Sequence, residues 1–253
     1  MARHAEVCWI FSLARCGSSV AAYGAAAPWS VPVADEVFGP WDRTGPPYNY
    51  PPEQEELRKL YWNVGEHLTP EVVDLASRVF DKIAGASGRV VMKHPHDSIR
   101  PEEFEVALKD HRHVFLLRNP LLRLNSLYAR GWFKAISADH DLHRFKLVAR
   151  RWLASPHRLR YEDLRKDPGG FFRRIWDAWG WRYTDADVEK ALEYQRSHYH
   201  DSSAKLSKER PDEVVSEKKF ALPEGAAELY LNDGFVRELM TEAGWSTDPD
   251  SYR

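Results

Sequence analysis

Among its 253 residues the chain has only two cysteines, Cys8 and Cys16. That number excludes a disulfide framework and makes a reducing, cytoplasmic setting the expectation. A leader with a basic start, an apolar stretch and a small-residue cleavage site is lacking. No apolar run approaches the ~20 residues that a membrane helix needs, so no membrane partner is expected. Charge of one sign is lacking as well: 36 Lys and Arg stand against 38 Asp and Glu, a formal net charge of −2. Such a balance gives no global pull toward nucleic acid. Internal repeats, low-complexity tracts and an obvious linker are absent, which reads as a single domain over residues 1–253. The polar run Asp201–Lys219 is a candidate flexible flap. Neither H-E-x-x-H nor paired-cysteine spacing occurs, so no metal is expected.

What is present suffices for a sizeable core, with 43% hydrophobic and 13% aromatic residues. Positive charge is concentrated locally. Between His111 and Ile175 there are 15 Lys and Arg against 5 Asp and Glu. A basic region inside a neutral chain suits a compact, highly anionic ligand better than a long polyanion.

Apolar runs at Val7–Leu13, Arg89–Met92, His113–Leu117 and His157–Arg160 read as strands. Helical patterns lie between them at Ser18–Ala26, Pro52–Val64, Pro70–Ile83, Pro101–Lys109, Pro120–Trp132, Leu142–Leu153 and Pro168–Trp179. This alternation predicts an α/β fold, a parallel sheet with helical crossovers whose ligand sits at the carboxyl ends of the strands. The proline-rich segment Pro28–Pro51 reads as a long ordered loop.

The stretch VCWIFSLARCGSS turns from a strand into a helix start through Ala14-Arg15-Cys16-Gly17-Ser18-Ser19. A loop of this kind offers backbone N–H groups and a helix dipole to an anion. It is not a Walker loop: Gly17 is followed by Ser18 rather than Lys, and no glycine stands five residues earlier. Nor is it a Cys-x5-Arg phosphatase loop, because Cys8 to Arg15 is one residue too long. What remains is a cation, Arg15, followed by the paired hydroxyls Ser18 and Ser19, a set suited to a terminal phosphate or sulfate. An ordinary strand-to-helix turn is the competing reading. Cys16 next to Arg15 raises a reactive thiolate as a side reading, with packing the simpler role.

A second junction, HVFLLRNPLLRLNSLYAR, puts Arg118 at a strand end, Asn119 at an N-cap and Pro120 at the first helical position. Ser126 falls on the face of the helix start, so Arg118 and Ser126 can converge on a second phosphate.

Together these junctions resemble the cytosolic-type sulfotransferases, which use 3′-phosphoadenosine 5′-phosphosulfate (PAPS). The first loop is similar to their Pro-[Lys/Arg]-Ser-Gly-[Thr/Ser]-[Thr/Ser], with Ala14 and Cys16 as departures. Arg118 and Ser126 match their Arg-Asn-Pro stretch with its later Ser. LRYEDLRKDP, Leu159–Pro168, matches their Tyr-Glu-Asp-Leu segment, and the helix, glycine turn and helix that follow match as well.

The resemblance implies a three-layer, P-loop nucleoside-triphosphate-hydrolase-like sulfotransferase fold and transfer of a sulfuryl group from PAPS, without metal, to a hydroxyl or amine of a small-molecule acceptor. It implies donor contacts from Arg15, Cys16, Gly17, Ser18, Ser19, Arg118, Ser126 and Tyr161, the last near adenine with Trp41 or Tyr48 as further stacking partners. Catalysis falls to Arg15, to Lys93 beside the sulfuryl oxygens and to His94 as base, with His96 in reserve. The family segment Lys-Thr-His-Leu-Pro is matched only imperfectly by Lys93-His94-Pro95. Glu162 and Asp163 read as capping or Arg-pairing residues. The cations Lys205, Lys208, Arg210, Lys218 and Lys219 find no alignment with the family's late basic loop. Alternatives are an inactive nucleotide-binding or interaction protein of the same fold, and an ATP-dependent small-molecule kinase.

Overall fold

The computed structural model describes residues 4–40, 43–45, 48–94, 103, 109–129, 131, 137–197, 222 and 224–252. The expected helix Pro101–Lys109 and the candidate flap fall almost wholly or wholly outside them. Five strands form one sheet: β1 (Glu6–Ser12), β2 (Val33–Asp35), β3 (Arg89–His94), β4 (Arg112–Leu117) and β5 (Arg158–Arg160). Their spatial order is β2-β3-β1-β4-β5, and every pair is parallel. The carboxyl ends of all five strands therefore share one edge. At that edge β1 lies between β3 and β4, the place where doubly wound sheets bind ligands.

The helices are α1 (Ser18–Ala26), α2 (Glu53–Asn63), α3 (Pro70–Ala84), α4 (Pro120–Ala129), α5 (Ala138–Ala154), α6 (Tyr161–Lys166), α7 (Pro168–Trp179), α8 (Asp185–Ser197), α9 (Glu224–Leu231) and α10 (Gly234–Glu242). Local signals account for several ends. Thr69 caps α3 by accepting from the Val72 N–H, with Pro70 at the first helical position. Asp167 caps α7 through Gly170, and Gly180 ends it in the left-handed conformation. Helix α5 starts a turn earlier than its apolar pattern suggests, because Ser137 caps it through His140.

Three layers result, and side-chain alternation along the strands sorts the core between them. Cys8 and Ile10 of β1 face α1, α7 and α8, whereas Val7, Trp9 and Phe11 face α2 and α3. A third cluster packs α4, α5, α9 and α10 around Leu13, Cys16 and Leu117. The small residues of α1 have a steric cause: a Cβ on Gly24 would stand 2.4 Å from Gln195 and 2.5 Å from Phe172.

Candidate active site

The loop between β1 and α1 is a tight turn, with the Cys16 N–H donating to the Leu13 carbonyl at 3.1 Å. Arg15 and Gly17 have φ of 71° and 85°, while Cys16 between them stays in the ordinary region. Alternation of hand of this kind curls successive amides into a concave anion-binding surface. Gly17 is obligatory on two grounds. A side chain is strained at its φ, and a Cβ there would lie 2.2 Å from the Tyr161 ring. No side chain caps α1 and its first turn holds no acid, so its positive end is not neutralised from within the helix. Ser18 is nearly buried and Ser19 half-buried.

Arg118 leaves the end of β4 and lies over the Tyr161 ring, 4.5 Å from its centroid. Its Nη1 donates to the Arg15 carbonyl at 3.3 Å. Its Nε is buried and meets no hydrogen-bond partner among the described residues, a costly state that a bound anion would relieve. Arg15 Nε donates to Ser126 Oγ at 3.1 Å, and Ser126 is 1% exposed. The two junctions thus meet: Arg15 and Ser126 touch, and Arg118 is tied to the backbone of the same loop. Tyr161 is also buried, pressed against Gly17 and under Arg118. Its ring supports the loop and the guanidinium.

Consecutive residues of β3 part company. Lys93 pairs in register with Ile10 and Asp35, and His94 with Phe11. Lys93 therefore points to the α1 side, where its Nζ donates to Ser19 Oγ at 3.1 Å and lies 2.8 Å from Asp35 Oδ1. His94 points to the other side, 1% exposed, with its ring edge-on to Trp9, Phe11 and Phe38.

The residues that sequence reasoning missed here are Asp35 and Glu36. Burial pushes the Asp35 carboxyl above the usual carboxylate range, against the pull of Lys93. Glu36 carries a left-handed φ of 53°, lies 3.9 Å from Lys93 Nζ and accepts from Arg43 Nη2 at 3.0 Å. Strain of that sort in a non-glycine residue gathers at functional sites. Nothing in the Pro28–Pro51 segment signalled a strand, and the pairing with Lys93 is long-range.

Glu162 accepts from the Asn119 N–H at 3.0 Å at the start of α4 and from Trp245 Nε1 at 3.1 Å. Asp163 pairs with Arg160 and Arg174. Tyr48 lies under Arg43, 4.0 Å from ring centroid to guanidinium carbon. Cys16 corrects the thiolate reading: it is fully buried beside leucines, and burial pushes its thiol up rather than down. His96, Trp41 and the late cations from Lys205 to Lys219 lie outside the described residues. Among the described residues no cluster of His, Cys, Asp and Glu fits a metal ion, and no helix is long and apolar enough to cross a membrane.

Comparison with solved structures decides the fold. The chain aligns with the mouse sulfotransferase SULT7A1, crystallised with PAP, over 94% of its own length and 89% of that chain, at a TM-score of 0.52 and 12% identity. This is the sulfotransferase fold. The sulfotransferase domain of the Synechococcus PCC 7002 olefin synthase also aligns, over 97% of both chains, at a TM-score of 0.49 and 15% identity. No protein-family model matches the sequence, and no curated protein matches it. On this fold the edge occupied by Arg15, Gly17, Ser19, Lys93 and Arg118 is the carboxyl edge of the sheet, where the sequence placed its ligand.

Proposed function

We propose that the protein transfers the sulfuryl group of PAPS to a hydroxyl or amine of a small-molecule acceptor. The observation that carries this reading is Arg118: a buried Nε without a partner among the described residues, next to an uncapped helix start, on a sulfotransferase fold. PAPS, when bound, supplies a sulfuryl group activated by a phosphate leaving group.

The chain's own residues divide the remaining work. Loop amides, Ser18 and Ser19 would hold the 5′ end, and Arg118 with Ser126 the second phosphate, with Arg15 in contact with Ser126 between them. Hydroxyl Ser126 accepts from Arg15 and keeps its own proton to donate. Lys93 beside Ser19 places positive charge where negative charge grows during transfer. The acceptor's proton goes to the Asp35 carboxylate, which shares the Lys93 side of the sheet, with Glu36 the second carboxylate near Lys93. A raised carboxyl pKa improves a general base near neutral pH. His94, the base expected from the sequence, is packed on the opposite face.

The test is incubation of the purified chain with PAPS and a panel of phenols, alcohols and amines, following release of 3′,5′-adenosine bisphosphate. Acceptor-dependent release is expected. Tight binding of the bisphosphate with no release across the panel would replace the enzyme by a nucleotide-binding protein of the same fold. Tighter binding of magnesium-ATP than of the bisphosphate would replace it by a kinase.

A further inference from the structure

Two consecutive carbonyls of the β1–α1 loop are held by guanidinium groups. Arg118 takes that of Arg15, and Arg123 Nε donates to that of Ala14 at 3.0 Å. Arg123 is 2% exposed, too deep to touch a ligand. Its other two nitrogens are bidentate to Asp141 of α5, at 2.7 and 2.8 Å. Asp141 also accepts from the Tyr230 hydroxyl of α9 at 2.7 Å. Four elements thus meet on one buried charge, and its Nε–H is aimed at the loop.

A trans peptide sets its C=O and N–H on opposite sides. Drawing the Ala14 carbonyl toward α4 therefore turns the Arg15 N–H the other way, out of the core. We infer that Arg123, set by Asp141 and Tyr230, is a positioning residue for the anion site: it fixes the orientation of the loop amides without contacting the anion. Stability alone is a poor reason for such a set. Well-packed apolar replacements of a buried ion pair are often as stable or more so. The inference rests on the loop's reading as a phosphate site.

The test uses the full chain and calorimetry with 3′,5′-adenosine bisphosphate, 5′-AMP and inorganic pyrophosphate. The apolar triple variant Arg123→Met, Asp141→Leu, Tyr230→Phe is expected to keep a cooperative thermal transition and to lose tenfold or more in affinity for the bisphosphate and for pyrophosphate. Arg123→Lys keeps a charge for Asp141 but has its donors on one nitrogen and lacks the separate Nε–H that reaches the Ala14 carbonyl, and is expected to lose affinity too. Tyr230→Phe, which removes one hydroxyl from the set and leaves the Arg123–Asp141 pair, is expected to lose least. A folded triple variant, or Arg123→Lys, with wild-type affinity overturns the positioning role. If the triple variant does not fold, the two single variants decide by the same criterion. Wild type that binds pyrophosphate without preferring the bisphosphate to 5′-AMP defeats the sulfotransferase reading alone, and the pyrophosphate arm then judges Arg123. Wild type that binds neither probe defeats both.

Discussion

Removing Arg118 tests the donor site most directly, because only a donor with a 3′-phosphate calls for a second anion site remote from the reacting group. In the structure the guanidinium is held loosely. Its bond to the Arg15 carbonyl is long at 3.3 Å, its Nε has no partner among the described residues, and the Tyr161 ring adds a cation–π contact of roughly 0.5–1 kcal/mol. Arg118→Ala should therefore cost only about 1 kcal/mol of stability. The nucleotide should feel far more. Charge-assisted hydrogen bonds contribute roughly 1.5–3 kcal/mol each. Two of them from the Arg fork to a 3′-phosphate give about 3 kcal/mol at the low end, or on the order of 100-fold in affinity. Calorimetry with 3′,5′-adenosine bisphosphate and 5′-AMP should show wild type preferring the bisphosphate by about that factor. Arg118→Ala should lose most of the preference while 5′-AMP binding changes little, and Arg118→Lys should recover part of it. Equal affinity of wild type for the two nucleotides, or an unchanged ratio in Arg118→Ala, refutes the reasoning.

Asp35→Asn, alone or with Glu36→Gln, should slow turnover about 10²–10⁴-fold at unchanged bisphosphate affinity, whereas His94→Gln should leave the turnover of the folded protein within a few-fold; steady-state rates showing the reverse order return the base to His94. Burial pushes the His111 imidazole down to about 4, against ~6.5 in the unfolded chain, and its Nδ1 accepts from Trp9 Nε1 at 3.0 Å. The unfolded state binds the extra proton between those values. The related stability is thus complete above pH 6.5 and falls by about 3 kcal/mol as pH drops to about 4. Urea melts at pH 7 and 4.5 should show this fall, and His111→Gln should flatten it. Cys16→Ser puts a hydroxyl in place of a fully buried thiol that meets the backbone amides of Leu13 and Arg118 inside a mainly apolar cluster. It should lower the melting temperature by the equivalent of about 1–3 kcal/mol without raising bisphosphate affinity; tighter binding would mean that the side chain at position 16 reaches the anion.

The parts of the fold that could be read in advance are those whose signals are local. The apolar run before Leu13, the small-residue face of α1, the Thr69-Pro70 start of α3 and the Pro168 start and Gly180 end of α7 each carry their cause within a few residues. Strand β2 carries none. Its three residues, Val33–Asp35, exist as a strand because β3 pairs with them, and a proline-rich surround pointed to a loop. Asp35 and Glu36 were lost with it, since their link to Lys93 is a register contact across the sheet. The parting of Lys93 and His94 was legible in principle: neighbours on a strand face opposite sides while the strand lasts. The strand runs through His94, whereas the apolar pattern had it end at Met92.

That leaves the departures of the first loop, Ala14 and Cys16 where the family has Pro and Ser. A proline stiffens such a loop by fixing φ and reducing the freedom of the unfolded chain. Here tertiary contacts restrain the same atoms. The Ala14 carbonyl is held by Arg123 and that of Arg15 by Arg118, the Cys16 N–H is held by Leu13, and the Cys16 side chain is fully buried in the cluster that α4, α5, α9 and α10 form. The thiol at position 16 is fully buried, with the backbone amides of Leu13 and Arg118 beside it. On the proposed function the hydroxyls of this loop that meet the anion are those of Ser18 and Ser19, and Ser19 is already in contact with Lys93. On the proposed function, a loop restrained from behind in this way is preorganised for an anion without a proline, and the cost of holding it falls on the buried Arg123–Asp141 pair rather than on the residues that would face the ligand.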